Sequence, residues 1–148
     1  MSESAKDFFT REQVDDIKQA IMNAELDTSG EIRVHIDTRC KGEVMERAVK
    51  VFHKLGIDKT DARNGVLFYL AVKNRKFAVI GDIAINEAVP EDFWETLKHD
   101  MLEAFREGKF TDGLIDGITR TGTYLKQFFP YQTDDTNELS DEVSFGSK

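Results

Sequence analysis

A single cysteine, Cys40, and two prolines stand in this chain of 148 residues. One thiol allows no internal disulfide, so burial and hydrogen bonding must hold the fold, and a reducing, cytoplasmic setting is expected. The longest uninterrupted apolar run, Val66 to Val72, is far too short to cross a bilayer. No basic start followed by an apolar stretch marks the N-terminus, so no signal peptide is expected. Catalytic signatures are missing too. HExxH, GxSxG, GxGxxG and the P-loop are all absent, which removes the commonest zinc-protease, hydrolase and nucleotide-binding patterns. His35, His53 and His99 lie far apart, with no cysteines at zinc spacing.

Acid is in excess. The formal net charge is −8, a field that repels nucleic acid and anionic membrane surfaces and draws in cations. Hydrophobic residues at 40% and charged residues at 32% describe a globular domain, not a disordered one.

Local patterns order the chain as α-β-α-β-β-α-α, a mixed-sheet α/β protein. Thr10 and Gln13 stand at capping-box spacing, ahead of Val14, Ile17, Ile21 and Ala24 at helical spacing. Glu31 to Asp37 alternates strictly, with Ile32, Val34 and Ile36 on one side, which predicts a half-buried strand. Val44, Ala48, Val51, Phe52 and Leu55 form a helical stripe stopped by Gly56. Val66 to Val72 reads as a central strand covered on both faces. A short polar break at Lys73-Asn-Arg75 makes a hairpin with Lys76 to Gly81. Pro90 is placed in the first turn of the next helix, and Thr111 is expected to cap the last one, which runs to Pro130.

Residues 131–148 change character. Asp134, Asp135, Glu138, Asp141 and Glu142 are spread over a stretch without a helical apolar repeat. An acidic C-terminal tail, mobile or loosely docked on a domain of residues 8–130, is the expectation. Its Asp134-Asp-Thr-Asn-Glu138 lacks the glycine and spacing of an EF-hand loop.

A helical connection makes the first two strands parallel, and the hairpin makes the third antiparallel. The start of strand one, the start of strand two and the end of strand three therefore share one pole. That pole carries Glu31, Asp58, Asp61, Arg63, Asn64, Gly65, Gly81 and Asp82. Asp58, Asp61, Asn64 and Asp82 bring short oxygen-bearing side chains to turns beside glycines. Calcium takes six to eight such oxygens at about 2.3–2.6 Å. The same residue types also favour turns for their own backbone hydrogen bonding, without any ligand.

Four segments in order carry a resemblance: Ser29-Gly-Glu-Ile-Arg-Val34, Asn64-Gly-Val-Leu67, Arg75-Lys-Phe-Ala-Val-Ile-Gly-Asp82 and Phe110-Thr-Asp-Gly-Leu-Ile-Asp-Gly-Ile118. Together they resemble the TPM-domain family, which includes thylakoid-lumen acid-phosphatase-like and photosystem II repair-like proteins. The resemblance implies a three-layer α/β/α sandwich with an acidic pocket that holds calcium in some members. Asn64, Gly65, Gly81 and Asp82 match the motif positions. Members often carry Asp directly before Asn-Gly, whereas Arg63 stands there in this chain.

The expectation is thus a TPM-like domain with calcium at Asp82, Asp61, Asp58 and Asn64, and Glu31 as an outer contact. One rival is a metal-dependent phosphomonoester hydrolase, with Arg63 clamping a phosphoryl oxygen. The other is a ligand-free protein-interaction module using the tail or a strand edge.

Overall fold

The capping box forms as the sequence predicts. In this computed structural model, which describes residues 4–130 and 143–146, Thr10 Oγ1 accepts from the Gln13 amide at 3.1 Å. The Gln13 side chain accepts in return from the Thr10 amide at 2.9 Å. Helix α2 (Arg11–Glu25) follows a single turn, α1 (Ala5–Phe8), and buries Ile17, Ala20, Ile21 and Ala24. Strand β1 (Glu31–Asp37) then leads to α3 (Val44–Lys54) and a 3-10 turn over Ile57–Lys59.

Strand β2 (Gly65–Ala71) pairs parallel with β1, Glu31 opposite Gly65. Strand β3 (Lys76–Gly81) returns antiparallel, with Val66 opposite Gly81. The expected shared pole is therefore present.

Helix α4 (Ile83–Ala88) was not signalled by periodicity; Asp82 caps it, accepting from the Ile83 amide at 2.8 Å. Two predicted helix starts need correcting. Pro90 stays outside α5 (Phe93–Arg106), whose N-cap is Asp92. Thr111 lies inside α6 (Phe110–Phe128), which begins at Lys109 without a side-chain cap. Tertiary contacts, not first-turn chemistry, set both starts: Phe93 and Leu114 are both buried against the sheet.

The larger core packs Ile32, Val34, Ile36, Phe68, Leu70 and Val79 against α2, α5 and α6. The smaller core, on the opposite face, packs Leu67, Tyr69, Ala71 and Ala78 against Ala48, Val51 and Phe52 of α3. Helices on both faces of one mixed sheet make a three-layer α/β/α sandwich. β1 is buried along all seven residues, not half-buried; on its polar row Asp37 is held by Arg47 and Tyr69, and His35 faces Ser144.

The sheet has four strands, in the order β3-β2-β1-β4. Strand β4 (Val143–Phe145) lies parallel to β1, with Val34 opposite Val143 and Ile36 opposite Phe145. Part of the expected tail is thus an edge strand, and residues 131–142 lie outside the described residues. A three-residue strand carries too short a pattern to read from sequence.

Candidate functional site: the turn-built pole and the β1 clasp

The pole is closed by backbone first. The Asp82 amide donates to Gly65 O at 2.9 Å and the Ala84 amide to Arg63 O at 3.0 Å. The turn before β2 and the turn after β3 are thereby tied together. Gly65 permits this packing: a β-carbon there would come within 2.8 Å of Ile57 O, too close for any other residue. Gly81 closes β3 directly before Asp82.

The side chains at this pole do not share one point. Arg63, with a left-handed φ of 52°, turns its guanidinium onto Asp82. Nε lies 2.7 Å from Oδ2 and Nη2 2.8 Å from Oδ1. Asp82 is buried while the Arg63 side chain is 44% exposed. The pairing pushes the Arg63 pKa above its ordinary value.

Asp58 sits on the 3-10 turn, and its Oδ2 accepts from His53 Nδ1 at 2.9 Å. That hydrogen bond holds the Asp58 carboxyl below the usual carboxylate range. Asn64 is fully buried, and its Nδ2 donates to Ser29 Oγ at 3.1 Å. Asp61 is exposed on the same turn, and Glu31 is buried at the start of β1.

Three oxygens in this short turn are buried without a hydrogen-bonding partner: Asp58 Oδ1, Thr60 Oγ1 and Asn64 Oδ1. A buried acceptor left unmade costs roughly 1–3 kcal/mol, so three within seven residues call for a ligand or solvent. Among the described residues, no group of three or more His, Cys, Asp or Glu side chains is arranged to hold a metal. Any cation here would depend on amide, hydroxyl and backbone oxygens beside Asp58.

A second constellation was missed by sequence reasoning. At the opposite end of β1, the buried Asp37 carboxylate accepts from His35 Nε2 at 3.0 Å, Arg47 Nε at 2.9 Å and Tyr69 Oη at 2.6 Å. Burial alone would raise its pKa, but hydrogen bonds from His35, Arg47 and Tyr69 hold it well below the carboxylate range. Burial, with the Asp37 charge beside it, pushes the Tyr69 phenol far above its ordinary value. His35 Nδ1 in turn lies 2.8 Å from Ser144 Oγ on β4.

Ser144, His35 and Asp37 have the residue types of a hydrolytic triad, but the ring nitrogens are exchanged. In the triad arrangement the serine faces Nε2 and the aspartate Nδ1; here each faces the other nitrogen. Asp37 is also bound by Arg47 and Tyr69. The arrangement is a clasp that anchors β4. The one signal in the sequence was His35 and Asp37 on the same side of a strictly alternating strand.

Among the described residues no helix is long and apolar enough to cross a membrane. The fold and the turn-built pole define a class of α/β/α sandwich in which the ends of two paired strands frame one polar site. The TPM domain model matches residues 3–124, and the chain belongs to that family.

Among solved structures, the BA42 protein from the psychrophilic bacterium Bizionia argentinensis is similar at 41% identity with a TM-score of 0.87. The match covers 98% of this chain and 100% of that one. The N-terminal domain of a P. gingivalis protein matches at 15% identity and a TM-score of 0.72, over 85% of this chain and 83% of that one. The N-terminal domain of a Corynebacterium glutamicum protein matches at 10% identity and a TM-score of 0.62, over 91% and 79% respectively. The last two matches show the fold alone. No curated protein matches the chain.

Proposed function

We propose that this TPM domain, in a cytoplasmic setting, binds a divalent cation at the turn of residues 58–64, calcium being the ion that suits it. The observation that carries the reading is the trio of buried, unpartnered oxygens, Asp58 Oδ1, Thr60 Oγ1 and Asn64 Oδ1. Hard cations are satisfied by oxygens of this kind, carboxylate, amide and hydroxyl alike, together with backbone carbonyls and water. Calcium tolerates an irregular shell, whereas magnesium demands near-ideal octahedral geometry and keeps its waters.

Asp82 is a conditional ligand. Both its oxygens are held by Arg63, so a cation reaches it only when the guanidinium swings away into solvent. Asp61, exposed on the same turn, is a further carboxylate within the segment, and Glu31 an outer contact. No observation favours phosphomonoester hydrolysis: the arginine that would clamp a phosphoryl group is engaged with Asp82, which also caps α4. Nor does one favour a ligand-free interaction module, since the C-terminal strand fills the β1 edge itself.

The test is a calcium titration read by melting temperature and amide resonances. A ligand at 100 times its Kd stabilises by about 2.7 kcal/mol. Calcium should raise the melting temperature and shift Asn64, Gly65, Gly81 and Asp82, and magnesium should do less. Asp58→Asn, which keeps the shape of the side chain, should remove most of the increase. If calcium moves neither the melting temperature nor those resonances, the oxygens are hydrated and the reading fails.

A further inference from the structure

Arg63 is the resident cation of the turn-built pole. It holds the Asp82 carboxylate side-on, with Nε 2.7 Å from Oδ2 and Nη2 2.8 Å from Oδ1. The Asp82 hydrogen bond raises the Arg63 pKa, and the Asp82 and Asp58 charges add to it. One guanidinium therefore lies in the field of both carboxylates. The paired side chains differ in exposure, 44% for Arg63 against 4% for Asp82. A carboxylate so buried is strongly destabilised without a counter-charge. The guanidinium leaves it only when another cation takes its place.

Backbone and carboxylate are both fixed. The Arg63 amide donates to Thr60 O at 3.2 Å, and Arg63 O accepts from the Ala84 amide at 3.0 Å. Asp82 Oδ1 accepts from the Ile83 amide at 2.8 Å, and the Asp82 amide donates to Gly65 O at 2.9 Å. Exchange of the counter-charge thus asks only for rotation of the Arg63 side chain. A divalent cation on the turn of residues 58–64 supplies the replacement charge, and Asp82 Oδ2 becomes its ligand. The guanidinium then stands in solvent beside the ion, and the Nε–H and Nη2–H fork that held Asp82 is released.

We propose that the cation-loaded pole binds a carboxylate ligand on the released Arg63 fork, so that cation and carboxylate are taken up together. This rests on the cation reading above. The fork already holds one carboxylate by two parallel bonds, and such charge-assisted pairs are the strong ones. Calcium takes carboxylate oxygens into an irregular shell, so the same ligand also suits the neighbouring ion. A chain of net charge −8 favours a monoanion over a doubly charged phosphate. Without the cation, Asp82 occupies the fork and the carboxylate has no site. Each ligand therefore strengthens the other, and the coupling is reciprocal.

The test follows the Arg63 Nε–H resonance and the backbone amides of the full chain, with calcium or with EDTA. Each is recorded in chloride and in acetate, at matched ionic strength and equal free calcium. A blocked peptide, acetyl-Gly-Asp-Gly-amide, separates an acidic protein segment from a free small acid as the source of the carboxylate. Calcium should move the Arg63 resonance together with the amides of Asn64 and Gly65. Acetate or the peptide should move it further in the calcium-loaded protein and not in EDTA. Calcium should bind about fivefold tighter in saturating carboxylate, the low end of typical coupling. Arg63→Asn should bind calcium equally in chloride and in acetate. An Arg63 resonance that stays in place while Asn64 and Gly65 shift overturns the proposal and leaves the cation reading standing. So does a wild-type calcium affinity indifferent to both carboxylates. Absence of calcium shifts at all of these positions removes the cation reading and the proposal with it.

Discussion

Ser144 Oγ lies 2.8 Å from His35 Nδ1, so the last strand is pinned to the first by side chain as well as by backbone. Behind it the Gly146 amide donates to Ile36 O at 2.8 Å. A β-carbon on Gly146 would overlap the Asp37 carboxylate. The position accepts only glycine while the clasp is closed.

Truncation after residue 142 should therefore lower the melting temperature by several degrees, contrary to what the tail's composition suggests. It removes a buried valine and exposes the β1 edge. Gly146→Ala should reproduce much of the loss through steric overlap alone. Circular dichroism melts of the two variants check this, and unchanged melting would mean that β4 contributes nothing to stability.

Acid should unlock the same region. The folded Asp37 carboxyl titrates below its unfolded counterpart, whose value is about 3.9. Its contribution is thus fully present above that value and is lost as pH falls through it toward the lower folded value. Asp37→Asn should cost about 3 kcal/mol at neutral pH, the scale of breaking a buried ion pair. It should also flatten the acid limb of the stability curve below about pH 4. Parallel denaturant titrations from pH 2.5 to 7 read both effects; an acid limb identical to wild type would remove Asp37 from the account.

Arg63→Asn separates pairing from cation binding at the pole. Asparagine tolerates the left-handed backbone, so the change chiefly removes the guanidinium and leaves Asp82 buried without its partner. The calcium-free protein should melt lower than wild type. Calcium affinity should rise by about tenfold, as a competing cation is removed and a carboxylate released. Isothermal titration of both proteins decides it. Weaker calcium binding in the variant would show that Asp82 is not a ligand.

Gly122 tests the helix layer. Its α-carbon faces α2 so closely that an added β-carbon would lie 2.6 Å from Ala24 Cβ and 2.9 Å from Ala24 Cα. Backbone cannot yield as a flexible side chain can. Gly122→Ala should destabilise by about 1–3 kcal/mol through overpacking, despite alanine's better helix propensity. A chemical denaturation midpoint at or above that of wild type would show that the two helices part freely.

Local signals carried most of the fold. The Thr10–Gln13 box, the strict alternation of Glu31 to Asp37, the apolar run at Val66 and the hairpin at Lys73 to Arg75 all depend on residues a few positions apart. Strand direction followed from connection length, and with it the meeting of the turns before β2 and after β3. What that pole does internally was not legible. Arg63 and Asp82 are 19 residues apart in sequence, and nothing in either neighbourhood announces that one will occupy both oxygens of the other.

The sequence by itself determined the seven longer elements, the hairpin and the pole at which acidic turns converge, because periodicity and turn chemistry act over one or two turns of chain. Only the tertiary structure decided that β1 is buried on its polar face, where Arg47 and Tyr69, from other elements, close on Asp37. The same holds for Ser144, which meets His35 across 109 residues. A contact of that span comes from packing, and a three-residue strand bears no pattern that could forecast it.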